Sequence, residues 1–319
     1  EVDDSPEIQA AQEVFLILQD FDLTRQGQVR PPMPLFRRWG REGALITVNG
    51  QTAPVLDLPQ GGLLRLRLLN ASAARYYHLQ LTDHPWWLMA MDGVALETPV
   101  PQETVLLAPG ERLDFLVPGQ AAPRTYDLRS LPYDRGIMTM AGAMGHGPMM
   151  GPGRGMARPL NQPVILARLR YQGQTTPVAL PTTLGQVEVL PEPTILREFV
   201  LDHGIDPVTA DPFLINGRAF DHHRVDTQVK LDSVEDWVIQ NQAGMDHPFH
   251  LHTNRFQVIS RNGQPEPLRA WKDVVNIPAY ETVRIRIPFR DFAGKTVYHC
   301  HILDHEDQGM MGVIEMQPS

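Results

Sequence analysis

Short segments in which apolar and polar residues alternate recur along the whole chain. Val283-Arg284-Ile285-Arg286-Ile287 is one, and Leu64-Arg65-Leu66-Arg67-Leu68 keeps the same beat. Successive side chains of a strand point to opposite faces, so a period of two predicts strands buried on one side. Asn49-Gly50, Asp92-Gly93, Asn216-Gly217 and Asn262-Gly263 punctuate these segments. Such dipeptides form tight turns because both residues tolerate positive φ. Helical periodicity is confined to a few short stretches. Many short strands separated by turns predict an all-β chain built of β-sandwiches.

The pattern occurs twice. Leu45 to Gly50, Leu64 to Asn70, Tyr77 to Leu81, Asp92-Gly93 and Ala108 to Val117 are echoed by Phe213 to Gly217, Asp236 to Asn241, His250 to His252, Asn262-Gly263 and Ala279 to Ile287. Matching landmarks lie about 170 residues apart, as expected if one domain type is repeated. Two domains follow: residues 1–181, and residues 182–319 beginning with a proline-containing linker near Thr182 to Pro193. The stretch 136–158 differs from both. It is rich in glycine and methionine, has few other large apolar side chains, and is expected to be a mobile loop or hairpin.

Composition narrows the function. The 319 residues carry a formal net charge of −9, which argues against sequence-independent nucleic-acid binding. No run of 18 apolar residues is present, so no membrane span is expected. A single cysteine excludes an intrachain disulfide. The chain begins at Glu1 with neither Met nor a leader, and reads as processed, truncated or a fragment. The 29 prolines and 25 glycines fit turn-rich β structure.

Six of the 12 histidines fall in two short stretches, His247-Pro248-Phe249-His250-Leu251-His252 and His299-Cys300-His301 through Met310. In a strand, His-X-His puts both imidazoles on one face, and in His299-Cys300-His301 the thiol points to the other. One strand can then serve two metal sites. Two histidines, a cysteine and a weak axial methionine make up a blue-copper (type 1) site, and His247, Cys300, His305 and Met310 supply that set. A lone His-X-His is usually surface decoration, and a lone cysteine usually a small buried hydrophobe. Their concentration in two short stretches is what favours a metal.

These two stretches resemble the H-P-x-H-x-H and H-C-H-x-x-x-H-x-x-x-x-M signatures of the multicopper oxidases. The run from His299 to Met311 is similar to bacterial laccases and copper-efflux cuprous oxidases. The resemblance implies two cupredoxin-like Greek-key sandwiches: a copper-free middle domain over 1–181, with the methionine-rich loop 136–158, and a copper-bearing C-terminal domain over 182–319. It implies type 1 ligation by His247, Cys300, His305 and Met310, type 2 ligation by His250, and type 3 ligation by His252, His299 and His301. Glu306 matches an acid that relays protons to the site of O2 reduction. Asp246 and Asp304 are candidates for orienting ligand imidazoles. Lys272 and Asp273 are candidates for the edge of the type 1 site. Met138, Met140, Met144, His146, Met149 and Met150 offer a second, Cu(I)-binding role, since thioethers are soft ligands.

The chain also departs from the family. A full trinuclear cluster uses eight histidines, four of them from an N-terminal domain, and no further His-X-His pair occurs here. His78 falls near the ligand stretch of the repeat without partners. His84 and His203 stand alone, and His222-His223 are adjacent. The resemblance therefore implies that an N-terminal domain, in another polypeptide or removed, must complete the cluster. The expected function is one-electron oxidation of phenols or Cu(I), coupled to four-electron reduction of O2 to water. The chain alone is expected to be inactive towards O2. The alternative is a blue-copper electron-transfer or copper-binding module, and a third is a structural relative without catalysis. A periplasmic or secreted location is expected.

Overall fold

The computed structural model describes residues 5–31, 34–136, 162–204 and 213–318. The chain divides into two compact units. One comprises the described parts of Glu1–Gly27, Gly43–Tyr133 and Pro159–Val187, the other those of Gln28–Glu42, Asp134–Arg158 and Glu188–Ser319. The second unit thus takes in two segments that precede its main span, and both bear on the site below.

The expected all-β architecture is present. In the first unit a six-stranded sheet runs in the order Leu45–Val48, Gln12–Phe21, Leu63–Asn70, Arg112–Pro118, Trp86–Met91, Val94–Gln102. A five-stranded sheet runs Val55–Gln60, Val164–Gln174, Thr125–Leu131, Tyr77–Leu81, Val105–Leu107. The second unit repeats the plan. Its larger sheet runs Phe213–Ile215, Ile195–His203, Ser233–Asn241, Thr282–Phe289, Phe256–Arg261, Gln264–Pro265, with Trp271–Lys272 paired to Phe256–Arg261. Its five-stranded sheet runs Thr227–Lys230, Met311–Gln317, Gly294–Cys300, His247–Leu251, Val274–Ile277. Among the described residues, helix is limited to Pro6–Gln9, a 3-10 turn at Pro34–Trp39, and Leu303–Asp307.

In the second unit aromatic rings from the two sheets meet in the core. Phe199 and Trp237 of the larger sheet both stand edge-on to Tyr298 of the smaller, at 5.3 and 5.5 Å. All four predicted turns have positive φ at both central residues, for example 51° and 74° at Asn49 and Gly50 and 48° and 78° at Asn262 and Gly263.

The alternating pattern is only partly a solvent pattern. Arg65 and Arg286, at polar positions of their strands, are buried, as are Asp114 and Asp236. Arg65 donates to Asp114 at 2.7 Å, and Arg286 donates through Nε to Asp236 at 2.8 Å. A buried charge is tolerated where a partner neutralises it, which is why these side chains can leave the surface.

Each unit also carries a buried asparagine at the same place in the repeat. Asn70 Nδ2 donates to the carbonyls of Arg75 and Leu107 at 2.7 and 3.0 Å, while Oδ1 accepts from Ser72 N. Asn241 Nδ2 donates to the carbonyls of Met245 and Ile277 at the same distances, while Oδ1 accepts from Ala243 N. These bonds fix the loop that enters the next strand, Tyr77–Leu81 in one unit and His247–Leu251 in the other. In the second unit that strand carries the histidines. No helix among the described residues is long and apolar enough to cross a membrane.

Candidate metal centre

His247–Leu251 pairs antiparallel with Gly294–Cys300, setting Phe249 opposite Cys300 and His250 opposite His299. Alternation along both strands sorts the donors into two groups, as the spacing predicts. His247, Cys300 and His305 form one, and His250, His252 and His299 the other. Within each, the ligand atoms lie within 4.8 Å of one another.

The first group is wholly buried. Cys300 Sγ lies 3.5 Å from His247 Nδ1 and 3.7 Å from His305 Nδ1, and the two Nδ1 atoms are 3.2 Å apart. A point equidistant from all three is about 2 Å from each, the length of an imidazole–metal bond. The tautomer of His305 is set from outside the group. Its Nε2 donates to the carbonyl of Arg38 at 3.1 Å, so Nδ1 carries the lone pair and faces inward. Phe213 stacks on the other side of this ring, with centroids 3.8 Å apart and planes 15° from parallel. His305 sits in the helix Leu303–Asp307, and its carbonyl accepts from Met310 N while the Met310 carbonyl accepts from Cys300 N, both at 3.0 Å. Met310 is fully buried beside the group.

Burial sets the protonation states. It pushes His247 down to about 3, with His203 and Arg135 adding to the effect. His305 falls well below the ordinary histidine range for the same first reason. Burial also pushes the Cys300 thiol up to about 12. At neutral pH the group is therefore two neutral imidazoles and a thiol. A cation entering it meets the lone pair of His305 already aimed, and must displace the thiol proton. A soft sulfur with two imidazoles suits copper.

The second group is shallower. His252 Nε2 and His299 Nε2 are 3.0 Å apart. His250 Nδ1 donates to the Asp273 carbonyl at 2.7 Å, and His299 Nδ1 to the Cys300 carbonyl at 2.9 Å. Both rings thus present Nε2 to the cluster. The His301 ring centroid lies 5.7 Å from those of His250 and His299, so all four C-terminal histidines gather here. Burial lowers His250 to about 4 and lowers His299 as well. Glu306 is half-buried, its carboxylate 3.2 Å from His299 Nδ1, and burial raises its pKa.

Several neighbours fall elsewhere than the sequence indicates. Among the described residues Asp304 binds no imidazole: its carboxylate accepts from Arg41 N and Nε at 3.0 and 2.9 Å. Asp246 accepts from Asn276 Nδ2 and Ala279 N, tying the strand before His247 to the next. Carbonyl oxygens of Arg38, Asp273 and Cys300 accept from His305, His250 and His299. Asp273 serves the second group through its carbonyl, and Lys272 beside it is buried. His84 is a core histidine held by the Pro85 carbonyl and Tyr171 Oη. His222 and His223 lie in an exposed turn, not a strand, with rings 3.7 Å apart. Met138, Met140, Met144, His146, Met149 and Met150 lie outside the described residues. Arg38, Phe213 and Arg135 carry no signal in the sequence. Arg38 acts through a main-chain carbonyl that any residue would supply.

Residues 192–319 match one family model described as multicopper oxidase, and residues 24–143 match another of the same description. The chain is similar to multicopper oxidase mco of Staphylococcus aureus, with 29% identity over 87% of this chain and 53% of that protein. It is also similar to a laccase of Bacillus stratosphericus, with 29% identity over 84% and 54%. Among solved structures, a multicopper oxidase of Campylobacter jejuni described as a metallo-oxidase superposes with a TM-score of 0.81 at 30% identity, covering 98% of this chain and 65% of that one. The chain spans about half the length of the curated relatives it matches.

Proposed function

Since the chain belongs to the multicopper oxidases, a family of copper proteins, we propose that its second unit is the electron-accepting half of an oxidase. In this reading His247, Cys300, His305 and Met310 hold a type 1 copper. His250 serves a type 2 copper, and His252, His299 and His301 serve a type 3 pair. The observation that carries the proposal is the buried triangle of two Nδ1 atoms and one Sγ, with the lone pair of His305 directed inward by Arg38. Bound copper would supply one-electron oxidation of substrate at the first group and reduction of O2 to water at the second.

The residues of this chain do the rest. Cys300 lies between His299 and His301, so a continuous covalent path through one peptide unit on either side joins the two groups. Burial keeps water from the first group and holds its imidazoles neutral. The second group is nearer solvent, and Glu306, with its raised pKa beside His299, is placed to hold and pass a proton. The substrates proposed are phenols, Cu(I) or both, with the methionine-rich stretch as a Cu(I)-collecting segment. The location proposed is periplasmic or secreted.

Four histidines cannot complete a trinuclear cluster of the family's pattern. The proposal therefore includes a further cupredoxin-like domain, in the same or another polypeptide, that supplies four more. The same shortfall favours one alternative, a blue-copper electron-transfer module that does not use O2. Copper analysis with absorption spectroscopy separates the two. About four coppers per assembly and a near-ultraviolet type 3 band support the oxidase. One copper with a strong blue band and no O2 uptake supports the module, and no bound copper sinks both.

A further inference from the structure

Arg135 is a buried charge that neither the ligand set nor the proton path accounts for. It is 2% exposed, and its Nη1 has no hydrogen-bond partner among the described residues. Nε donates to Glu42 Oε1 at 3.0 Å, and Nη2 donates to the Trp39 carbonyl. Glu42 is itself buried. A buried ion pair is weak support for stability, because desolvation offsets most of its attraction. Its retention here needs another account.

Position supplies one. The Arg135 carbonyl accepts from Asp246 N at 2.9 Å, next to His247. Its guanidinium holds Trp39, next to the Arg38 carbonyl that accepts from His305 Nε2. Arg135 thus braces the backbone on both sides of the first group. The following residue shows how closely. A Cβ on Gly136, whose φ is +99°, would come 2.0 Å from the Gly244 carbonyl oxygen and 2.7 Å from Met245 Cα. Only glycine lets the chain press against the segment leading into His247.

A fixed positive charge beside a redox centre favours the state with one more electron, and the effect is strongest where water is excluded. Arginine is suited to the task because it stays protonated even when buried. The Glu42 carboxylate opposes it. Building on the type 1 reading above, we propose that Arg135 and Glu42 are an opposed pair of tuning charges, Arg135 raising the reduction potential of copper in the His247–Cys300–His305 site and Glu42 moderating the rise. They touch neither substrate nor metal and act on the centre through the field and the backbone.

The test is a redox titration of the copper-loaded chain, followed by its blue absorption band. Arg135→Gln removes the positive charge and should lower the potential, whereas Glu42→Gln removes the negative one and should raise it. The double variant, with neither charge, should fold best and return towards the parent value. Arg135→Lys keeps the charge without the forked contacts and should shift less than Arg135→Gln. Loosening of the site alone would move both single variants in one direction, and that result, or no shift in either, overturns the proposal. If the parent chain takes up copper without a blue band, the type 1 reading fails first and this one with it. Blue parent and variants with same-sign shifts would sink this proposal alone.

Discussion

The two units are built on one plan, yet among the described residues only the second gathers candidate metal ligands. The strand pairings show how little separates them. Tyr77 pairs with Leu107 as His247 pairs with Ile277, and Leu79 pairs with Ser130 as Phe249 pairs with Cys300. Tyr77 therefore stands where His247 stands, and Ser130 where Cys300 stands. Gln80 and Arg129 occupy the places of His250 and His299. In the first unit Tyr77 is buried with its hydroxyl 2.9 Å from Ser72 Oγ. The buried asparagine and the sheet order are shared. The scaffold thus makes a protected place at the strand ends whether or not metal is held there, and a handful of side chains decides its use.

Acid should break this comparison most strongly. The histidines of the first group are held neutral by burial, His247 at about 3 against an ordinary 6.5. Between those values the unfolded chain binds protons that the folded chain refuses, so stability falls as pH drops below 6.5. The thiol acts at the other end. Its pKa near 12, against an ordinary 9.0, makes stability fall as pH rises above 9. The metal-free chain should be most stable between those limits, and the larger part of the loss on the acid side should fall on the second unit, which holds four such histidines against His84 in the first. Hydrogen exchange at pH 5 and pH 7.5 checks this. Equal loss of protection in both units would contradict it.

Metal uptake adds a linked prediction. Binding must displace the Cys300 proton, so affinity for cobalt(II), which takes the same donors without oxidising the thiol, should rise about tenfold per pH unit above pH 4. Competition with a chelator at several pH values measures the slope. A flat profile would mean that the thiol is not a ligand.

The shared asparagine sharpens the comparison further. Asn70→Ala and Asn241→Ala each strip two buried carbonyls and one amide of their partners and should each cost about 3 kcal/mol. Chemical denaturation gives the two losses. Only Asn241→Ala should also alter the copper spectrum, because only that loop leads into a ligand strand. A smaller effect is expected at Phe213→Leu, where loss of the stack on His305 should cost about 1 kcal/mol. It should broaden the copper signal in electron paramagnetic resonance, and Phe213→Tyr should restore it.

Much of this was legible in the sequence because it depends on local order. Period-two alternation and Asn-Gly turns set the strands, and the spacing within His299-Cys300-His301 alone separates two ligand faces. The parts that were not legible depend on distant chain segments or on main-chain atoms. The alternating arginines look solvent-exposed until Asp114 and Asp236 are seen buried beside Arg65 and Arg286. Asp304 looks like a partner for its neighbour His305, but Arg41 captures it. His305, His250 and His299 donate to the carbonyls of Arg38, Asp273 and Cys300, a chemistry that is identical at every residue. Residues 38–42 and Arg135 reach the site only through the fold.

The central claim is that the buried thiol–imidazole triangle of the second unit, with no equivalent among the described residues of the first, holds copper as a blue centre. Copper(II) titration of the parent chain, Cys300→Ser and a Cys300→Ser/Ser130→Cys double variant, followed by absorption in the visible range, tests it most directly. The parent should turn blue with one equivalent, and both variants should stay colourless, since Tyr77 leaves a cysteine at position 130 without its histidine. Blue colour surviving in Cys300→Ser would contradict the account.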